Sequence, residues 1–532
     1  MFTPSVVVNP EKGVGFVNPE KNFVAYVKPE GKKIKVSVIS VEAAMPISDE
    51  LSYDNVKAFM DAIPLFNRFN GVILNICEYE NTDEYPNNFV FCQAVKDELK
   101  KLNIKHMFIS TSYFIMASFM VGANLTGVKI GDTVLSCTIT SQCMICIEFE
   151  FTKNGYKFGD FKNSILDLKK SYDDIRDQII GTCDPTKIIL SAPGPNDPSV
   201  KALKKILNSR KLVVIEEGLI GYTYKTVVEI YKRMIDKSYV KRYVLPTSPR
   251  QYEIGFIMGG KFYRCVTASD GHALPFSKTV CIPRSSLEIA MTYTNNDTKK
   301  PEYLQRFNLP KNGHRFEITL KVDKEGLPSY EIESHLIDFI QAIPEKLNRT
   351  GLEIPVISFF DNSTVISVYK EGKGYQFLES WNGVYGTELL VAFDKDKPTF
   401  FDEASEALRT KATSVITDIT ELMANPAERL TLPWPFKITR DAKNPVLIEF
   451  DNFDGSRKAA TPVFLMALIL KQLIKALKND GLNDEQLKNI GFHFSTLNKI
   501  HQFEKWRLLN KNMQETCELL KINWNEDTKI TI

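Results

Sequence analysis

The sequence predicts two mixed α/β regions with an all-β domain between them. Up to about residue 240, short apolar strands alternate with segments of helical apolar spacing. From Val240 to about Glu333 no segment has a strong helical period, and strand-length runs end instead in turn residues. Helical spacing returns at His335–Lys346, and strand–turn–strand patterns recur after it. The predicted domains are therefore residues 1–240, 241–335 and 336–532.

The first region is predicted to contain a mixed sheet. The run NFVAYVKPEGKKIKV alternates apolar and polar residues around a Pro-Glu-Gly turn, which indicates a hairpin. After it we expect a strand, a helix, a strand and a buried helix at Gly71–Ile76, Asn87–Leu102, His106–Ile109 and Tyr113–Val121. Two strands within 126–151, a polar helix over Phe161–Ile180, a strand at Lys187–Ser191 and a helix containing Val200, Leu203 and Ile206 complete it. Alternation of this kind predicts an α/β domain.

The central domain is predicted to have six to eight strands. Its strand-length runs are QYEIGFIMGGKFYRCVTA, FSKTVCI, SLEIAMTYTN, EYLQRFNLP, HRFEITLKVDKEG and LPSYEIE. The last two form a hairpin with Lys324, Glu325 and Gly326 at the bend. One helix, Ser334–Leu347, is expected to follow.

The two outer regions resemble each other in sequence. The hairpin NFVAYVKPEGKKIKV is similar to TVISVYKEGKGYQFL. A strand, a helix and a second strand then occur in both, at Asn70–Ile76, Ala94–Leu102 and Ile104–Ile109, and at Asn489–Ser495, Asn512–Leu520 and Ile522–Trp524. We interpret this as an internal duplication.

Composition and charge exclude several classes of function. The 532 residues contain 67 Lys and Arg and 65 Asp and Glu, so no basic surface argues for a nucleic-acid partner. The most apolar helical segment, Val463–Leu470, meets Lys471 at once and predicts a buried helix, not a membrane span. Nine cysteines in a large chain without signal-peptide features suit reduced thiols and a cytoplasmic location. Cys143 and Cys146 lack a second pair or a nearby His, so we expect no metal site there.

Four segments of the central domain carry a family resemblance. GGKFYRCVTASDGHALPFSKTVCI, SLEIAMTYTNND, QRFNLP and HRFEITLKVDKEGLPSYEI resemble, in order and spacing, the peptide-binding β-domain of the heat shock protein 70 family. The flanks are similar to the actin-like (ribonuclease H-like) ATPase lobes of that family, through segments such as LPWPFKIT and TPVFLMALILKQLIKAL. Residues 13–240 look like a shortened ATPase domain, and 355–532 like its first lobe and the start of its second. The resemblance implies actin-like lobes flanking a β-sandwich.

Several elements of the family's ATPase chemistry are altered here. Ser358 stands where the first phosphate loop would have its Asp, and the Phe360 side chain fills space that a Gly would leave for phosphate. Lys129 replaces a metal-linked carboxylate, and Ile419 stands at the position of the essential lysine. Because single preorganised charged groups contribute orders of magnitude in rate, we expect ATP hydrolysis to be absent or very weak, with no catalytic or metal-binding residues.

The altered loops keep polar residues that could still contact a nucleotide. They are Gly131, Asp132 and Thr133 in KIGDTV, Gly194 in SAPGPNDP, and Asp361, Asn362, Ser363 and Thr364 in SFFDNST. The expected cofactor is therefore either none or ATP or ADP with Mg²⁺. The alternative interpretation is that these loops only connect packed elements.

The resemblance also implies a peptide site in the central domain. The positions that match the family's cleft are Phe262, Ile282, Leu287 and Ile289, all of them apolar. An extended peptide needs such side chains together with exposed backbone groups. The alternative is that they are ordinary inward-facing residues of a β-sandwich.

The resulting functional hypothesis is a chaperone-type protein that binds unfolded or extended polypeptide without an efficient ATP cycle. Two alternatives stay open. One is an active ATP-dependent folding chaperone of the stress response. The other is a co-chaperone or nucleotide-exchange partner of active family members, as the heat shock protein 110 relatives are, in which the lobes would be protein-interaction surfaces. No membrane or nucleic-acid partner is expected.

Overall fold

The structure is a computed structural model. It describes residues 8–9, 13–14, 22–82, 84–140, 143–191, 197–215, 218–294, 300–432, 434–495 and 503–524. The protein is mixed α/β with its strands in several separate sheets, in agreement with the predicted class. Among the described helices, none combines the length and apolar character needed to cross a membrane.

The first sheet follows a two-stranded ribbon, β1 (Val8–Asn9) and β2 (Gly13–Val14). Its strands run in the order β5-β4-β3-β7-β8, with β6 also on β4. They are β3 (Phe23–Glu30), β4 (Lys33–Ser40), β5 (Met45–Pro46), β6 (Leu51–Tyr53), β7 (Gly71–Leu74) and β8 (His106–Phe108). The helices are α1 (Val56–Ala62), α2 (Asn88–Lys101) and α3 (Thr111–Ala123). The predicted hairpin is confirmed as β3–β4.

The second sheet runs in the order β11-β10-β9-β12-β13. Its strands are β9 (Thr133–Ile139), β10 (Met144–Thr152), β11 (Gly155–Ser164), β12 (Lys187–Ser191) and β13 (Leu212–Ile215), and its helices are α4 (Tyr172–Ile180), α5 (Pro198–Ile206) and α6 (Thr223–Ile235). The prediction of a helix from Phe161 is wrong, because Phe161 pairs with Ile147 of β10 and the helix begins only at Tyr172. The α5 stripe of Val200, Leu203 and Ile206 is buried as predicted.

The described residues of the central domain form two antiparallel sheets with seven strands, within the predicted number. The four-stranded sheet has the order β15-β14-β17-β18 and the three-stranded sheet β16-β19-β20. The strands are β14 (Tyr252–Met258), β15 (Lys261–Ala268), β16 (Phe276–Pro283), β17 (Glu288–Thr294), β18 (Pro301–Phe307), β19 (Arg315–Val322) and β20 (Pro328–His335). Alternate residues of β19 are buried, and they meet apolar residues of β14 and β17 in one core.

The C-terminal region begins with two short helices, α7 (Asp338–Gln341) and α8 (Ile343–Asn348). The prediction of a single helix over Ser334–Leu347 is wrong. Strand β20 continues to His335, and the helical residues after it are divided between α7 and α8, with Pro344 in the first turn of α8. The main sheet has the order β23-β22-β21-β31, from β21 (Val356–Phe360), β22 (Ser363–Lys370), β23 (Gly374–Phe377) and β31 (Gly491–Phe494), and β24 (Thr387–Glu388) pairs with β22.

Two small three-stranded sheets and four helices complete the described part of this region. The strands are β25 (Val391–Ala392), β26 (Thr399–Phe400), β27 (Val415–Ile416), β28 (Lys437–Thr439), β29 (Leu447–Asp451) and β30 (Arg457–Ala460). The helices are α9 (Ser405–Thr410), α10 (Ile419–Ala424), α11 (Pro462–Asn479) and α12 (Phe503–Leu520). The buried helix predicted around Val463–Leu470 is confirmed as part of α11. No strand forms at Ile522–Trp524, where the Trp524 ring instead packs on Phe492.

The three main α/β sheets share one strand order. In each, a first strand (β3, β9 or β21) pairs antiparallel with the next strand of a meander and parallel with a later strand (β7, β12 or β31). The units β7–α2 and β31–α12 therefore occupy equivalent places, as the internal similarity predicts. The two hairpins with similar sequences do not occupy equivalent places. The first hairpin is β3–β4 and begins at the first strand of its sheet, whereas the second is β22–β23 and begins one strand later, after β21.

Candidate functional site

The turn between β21 and β22 brings together four of the predicted nucleotide-contacting residues. Asp361 has a positive φ of 47°, which turns the chain directly after the buried strand. Asn362 is buried, and its Oδ1 accepts a hydrogen bond from the backbone N–H of Asp418 at 2.7 Å. Ser363 and Thr364 are also buried and pair with Glu388 and Thr387 of β24. The turn is thus fixed from both sides by other parts of the C-terminal region.

The carboxylate of Asp361 binds a guanidinium group. Arg315, the first residue of β19 in the central domain, donates from Nε and from Nη2 to the two carboxylate oxygens, each at 2.9 Å. The Asp361 hydrogen bond raises the pKa of Arg315 above its ordinary value. Phe360 is 2% exposed and its ring packs against His314 at 4.8 Å. A two-point pair of this kind is geometrically specific, so Asp361 connects two regions of the chain.

A cavity of about 250 Å³ lies beside this turn. Asp361, Asn362, Asp418 and Glu421 contribute its polar wall, and Phe359, Phe494 and Leu509 contribute apolar surface. Burial raises the pKa of Asp418, although its Oδ2 accepts a hydrogen bond from Trp434 Nε1 at 2.8 Å. Glu421 pairs with Lys505 at 3.1 Å.

The donors and acceptors of this cavity fit a magnesium nucleotide poorly. The Asp361, Asn362 and Glu421 side chains already have protein partners, and the Asp418 carboxyl accepts a hydrogen bond from Trp434. Three carboxyl groups without a free cation or a row of open backbone N–H groups repel phosphate. We therefore derive no chemistry through a nucleotide at this turn.

The other predicted nucleotide residues lie in a separate turn before β9. Gly131 has a φ of 92°, and its N–H donates to the Phe151 carbonyl. The Asp132 carboxylate accepts from the backbone N–H of Lys129 at 2.8 Å, and the Asp132 N–H donates to the Lys129 carbonyl. Thr133 begins β9. The backbone N–H groups of Lys129, Gly131 and Asp132 therefore already have acceptors. Gly194 lies outside the described residues.

The four predicted peptide-binding residues do not form one exposed groove. Ile282 and Ile289 belong to the core of the central domain and are 6% and 1% exposed. Phe262 on β15 is half-buried, and its ring meets Tyr303 edge-on at 6.5 Å. Leu287 packs against an apolar cluster of the C-terminal region that contains Leu390, Ala392, Ala404, Ala407, Leu408 and Val415.

A junction between the central domain and the C-terminal region is the functional feature that sequence patterns did not indicate. The loop after β16 reaches across it. Arg284 Nη1 donates to the carbonyls of Tyr385 and Gly386 at 2.8 and 2.5 Å. Ser286 donates from both its N–H and its hydroxyl to one oxygen of Glu388, at 2.8 and 2.5 Å. These partners are about one hundred residues apart in sequence, so no local signal announces them.

His314 adds a second connection across the same junction. Its Nδ1 accepts from the backbone N–H of Ile337 at 2.9 Å, so Nε2 carries the proton and donates to the Val384 carbonyl at 2.7 Å. The ring is 1% exposed, and burial lowers its pKa. The contacts therefore require the neutral imidazole.

A polar cleft of about 550 Å³ opens at this junction. Arg284, Lys311 and Arg409 place positive charge along it, and Glu379 and Asp402 negative charge. Glu388 also lines the cleft and is 7% exposed. Burial raises its pKa to about 7, and the Asp418 charge adds to this, whereas the Ser286 hydrogen bonds and Arg284 act in the opposite direction.

Among the described residues, one group of side chains is arranged so that it could hold a metal ion. Glu317, Glu333 and His335 lie on the neighbouring strands β19 and β20, with ligand atoms within 4.8 Å of one another. All are at least partly exposed, and acidic groups of this kind are common on sheets without an ion. We therefore do not assign a metal site to these three residues.

No protein-family model matches the sequence, and a search of curated proteins finds no significant match.

Proposed function

We propose that this protein is a divergent, heat shock protein 70-like binding protein. In this proposal, two actin-like regions flank a β-sandwich-type domain that holds extended or unfolded polypeptide in the cytosol, without an efficient ATP cycle. The nine cysteines are free thiols, which suits a reducing compartment.

The repeated strand order supports the actin-like part of the proposal. A three-stranded meander whose first strand pairs in parallel with a later strand is the ribonuclease H-like arrangement that the resemblance implies. It occurs in the sheets that begin with β3, β9 and β21. The two antiparallel sheets over one core likewise agree with a sandwich-type central domain.

Strand β16 carries the peptide-binding part of the proposal. It pairs with β19 on one side, and no other described strand is hydrogen-bonded to it. Ser277, Lys278, Thr279 and Cys281 on it are exposed. An unpaired strand edge can add an extended peptide through backbone hydrogen bonds, and nearby apolar side chains then select the sequence. Ile282 lies on this strand and Leu287 follows it, so two of the four predicted residues lie at its end.

The contacts of Asp361 and Asp132 support the absence of an ATP cycle. Both carboxylates are already engaged, one by the Arg315 guanidinium and one by a backbone N–H in its own turn. Phosphoryl transfer depends on positioning and charge neutralisation, and the carboxylates of both turns are committed to other contacts.

A labelled peptide tests the binding function. Fluorescence anisotropy with an extended apolar peptide is expected to give saturable binding. A fluorophore on Cys281, the exposed cysteine of β16, should respond to the same titration. The matched control carries Cys281→Ser and Ser329→Cys, which places the fluorophore on β20 at the opposite edge of the same sheet and should give little response. Absence of saturable binding would refute the proposal.

Calorimetry with MgATP separates the proposal from the active-chaperone alternative. We expect no binding heat. Micromolar binding that Asp132→Asn or Asp361→Asn abolishes would favour an ATP-dependent chaperone instead. Capture of an active heat shock protein 70 family member, without peptide binding, would favour the co-chaperone alternative.

A further inference from the structure

The loop Pro283–Leu287 leaves the end of β16 and is held by the C-terminal region along most of its length. Arg284 and Ser286 bond to residues 385–388, as described above, and Leu287 enters the apolar cluster of that region. Because β16 leads directly into this loop, the contacts with the C-terminal region begin immediately after the last residue of the strand.

The junction has further attachments on the central domain. Arg315 at the start of β19 pairs with Asp361, and Lys311 pairs with Asp402 at 2.8 Å. The turn after β14 also approaches it: a Cβ built on Gly259 would lie 3.7 Å from the Ala412 Cβ. The attachments are mostly polar. The Arg315 and Asp361 side chains are 43% and 17% exposed, so solvent and salt weaken their attraction.

We propose that the C-terminal region is an intramolecular latch that closes the end of the peptide-binding edge, and that peptide binding past Ile282 requires its release. This inference rests on the proposed function. In this proposal the turn that resembles a phosphate loop binds a protein partner: the Asp361 carboxylate holds the central domain through Arg315. The latch is then opened by competition for these contacts, not by nucleotide.

A disulfide across the junction tests the latch directly. The 3.7 Å spacing of the Cβ positions at 259 and 412 lies within the range of a disulfide, and the single Gly259→Cys variant controls for the strain of a side chain at its φ of 56°. In a Cys281→Ser background, Gly259→Cys with Ala412→Cys should lower peptide affinity at least tenfold when oxidised. Reductant should restore the affinity, and each single cysteine variant should be insensitive to it.

A second experiment weakens the latch and does not depend on forming the disulfide. Asp361→Asn keeps a residue type that tolerates positive φ but removes the charge, and Arg315→Met removes its partner. Each is expected to raise peptide affinity several-fold and to speed amide exchange of residues 284–287. Because both remove the same contact, the double variant should behave like either single one.

The outcomes separate the latch from the binding function. Equal peptide affinity in the oxidised, reduced and Asp361→Asn proteins would overturn the latch and leave the binding function standing. Faster amide exchange without any change in affinity would overturn it equally. Loss of peptide binding in every form would refute the proposed function, and the latch with it. Reduced affinity in the locked protein and increased affinity in the opened one is the expected result.

Discussion

Replacing Glu388 by glutamine should make the C-terminal region more stable at neutral and alkaline pH. Glu388 is 7% exposed, and burial raises its pKa from the ordinary 4.5 to about 7. Between these values the folded protein binds a proton that the unfolded chain has released. Stability contributed by this group is therefore present below pH 4.5 and is lost as pH rises towards 7.

The size of the effect follows from the distance between the two pKa values. At about 1.4 kcal/mol for each pH unit between them, the buried carboxylate costs about 3 kcal/mol above pH 7. Glutamine has no such charge and keeps a carbonyl oxygen that can accept the two hydrogen bonds from Ser286. We expect Glu388→Gln to match the wild type below pH 4.5 and to exceed it by up to about 3 kcal/mol at pH 8.

Tryptophan fluorescence isolates the relevant unfolding transition. All four tryptophans lie in the C-terminal region, at positions 381, 434, 506 and 524. Urea titrations from pH 4.5 to 8 should show the two proteins diverging as pH rises. Glu379→Gln, an exposed carboxylate on the same cleft, should differ from wild type by no more than about 0.5 kcal/mol at every pH. Parallel pH curves for Glu388→Gln and wild type, or a less stable variant at pH 8, would refute the reasoning.

Two further predictions concern packing and an ion pair. Phe360→Ala should destabilise the C-terminal region by about 3–5 kcal/mol in the same urea assay, because the ring is 2% exposed, whereas Phe453→Ala, 48% exposed, should cost less than about 1 kcal/mol. Equal costs would contradict the placement of Phe360. Lys96→Met should lower the stability of the β19–β20 turn by about 1.5–3 kcal/mol, because the Lys96 Nζ lies 2.7 and 2.5 Å from two carboxylates of that turn. Amide exchange of the turn residues measures the effect, and Lys100→Met, at an exposed position of the same helix, is the control.

Local periodicity indicated the inward face of the central domain best where a strand alternates cleanly, as β19 does. In β19, Phe316, Ile318, Leu320 and Val322 are buried and their neighbours are more exposed, so the pattern alone fixes the inward face. The errors arose where pairing with a distant strand decides the structure. β11 is largely exposed and polar, and its extended form depends on pairing with β10. The local sequence before Tyr172 therefore contains nothing that argues against a helix over Phe161–Ile180.

The turn at Asp361 was predictable from sequence, but its partner was not. The run SFFDNST places polar residues after a buried strand, and a turn there is confirmed. Arg315 lies 46 residues away on another domain, and nothing in its own surroundings distinguishes it from a solvent-facing residue of β19. The contacts of the cleft residues Arg284 and Glu388 could not be predicted for the same reason, since the partner of each lies about one hundred residues away in sequence.

Strand periodicity and turn chemistry are separable constraints, and this chain shows the consequence. The sheet that contains β21 depends on buried apolar residues such as Val356 and Ile357, and these are indifferent to what the following turn binds. The turn needs only a residue that accepts a positive φ, which Asp361 does as a non-glycine residue. Its carboxylate binds the Arg315 guanidinium, and the ring of the preceding residue, Phe360, packs against His314. The turn therefore forms a contact between two regions of the chain without any change in the strand order of its sheet.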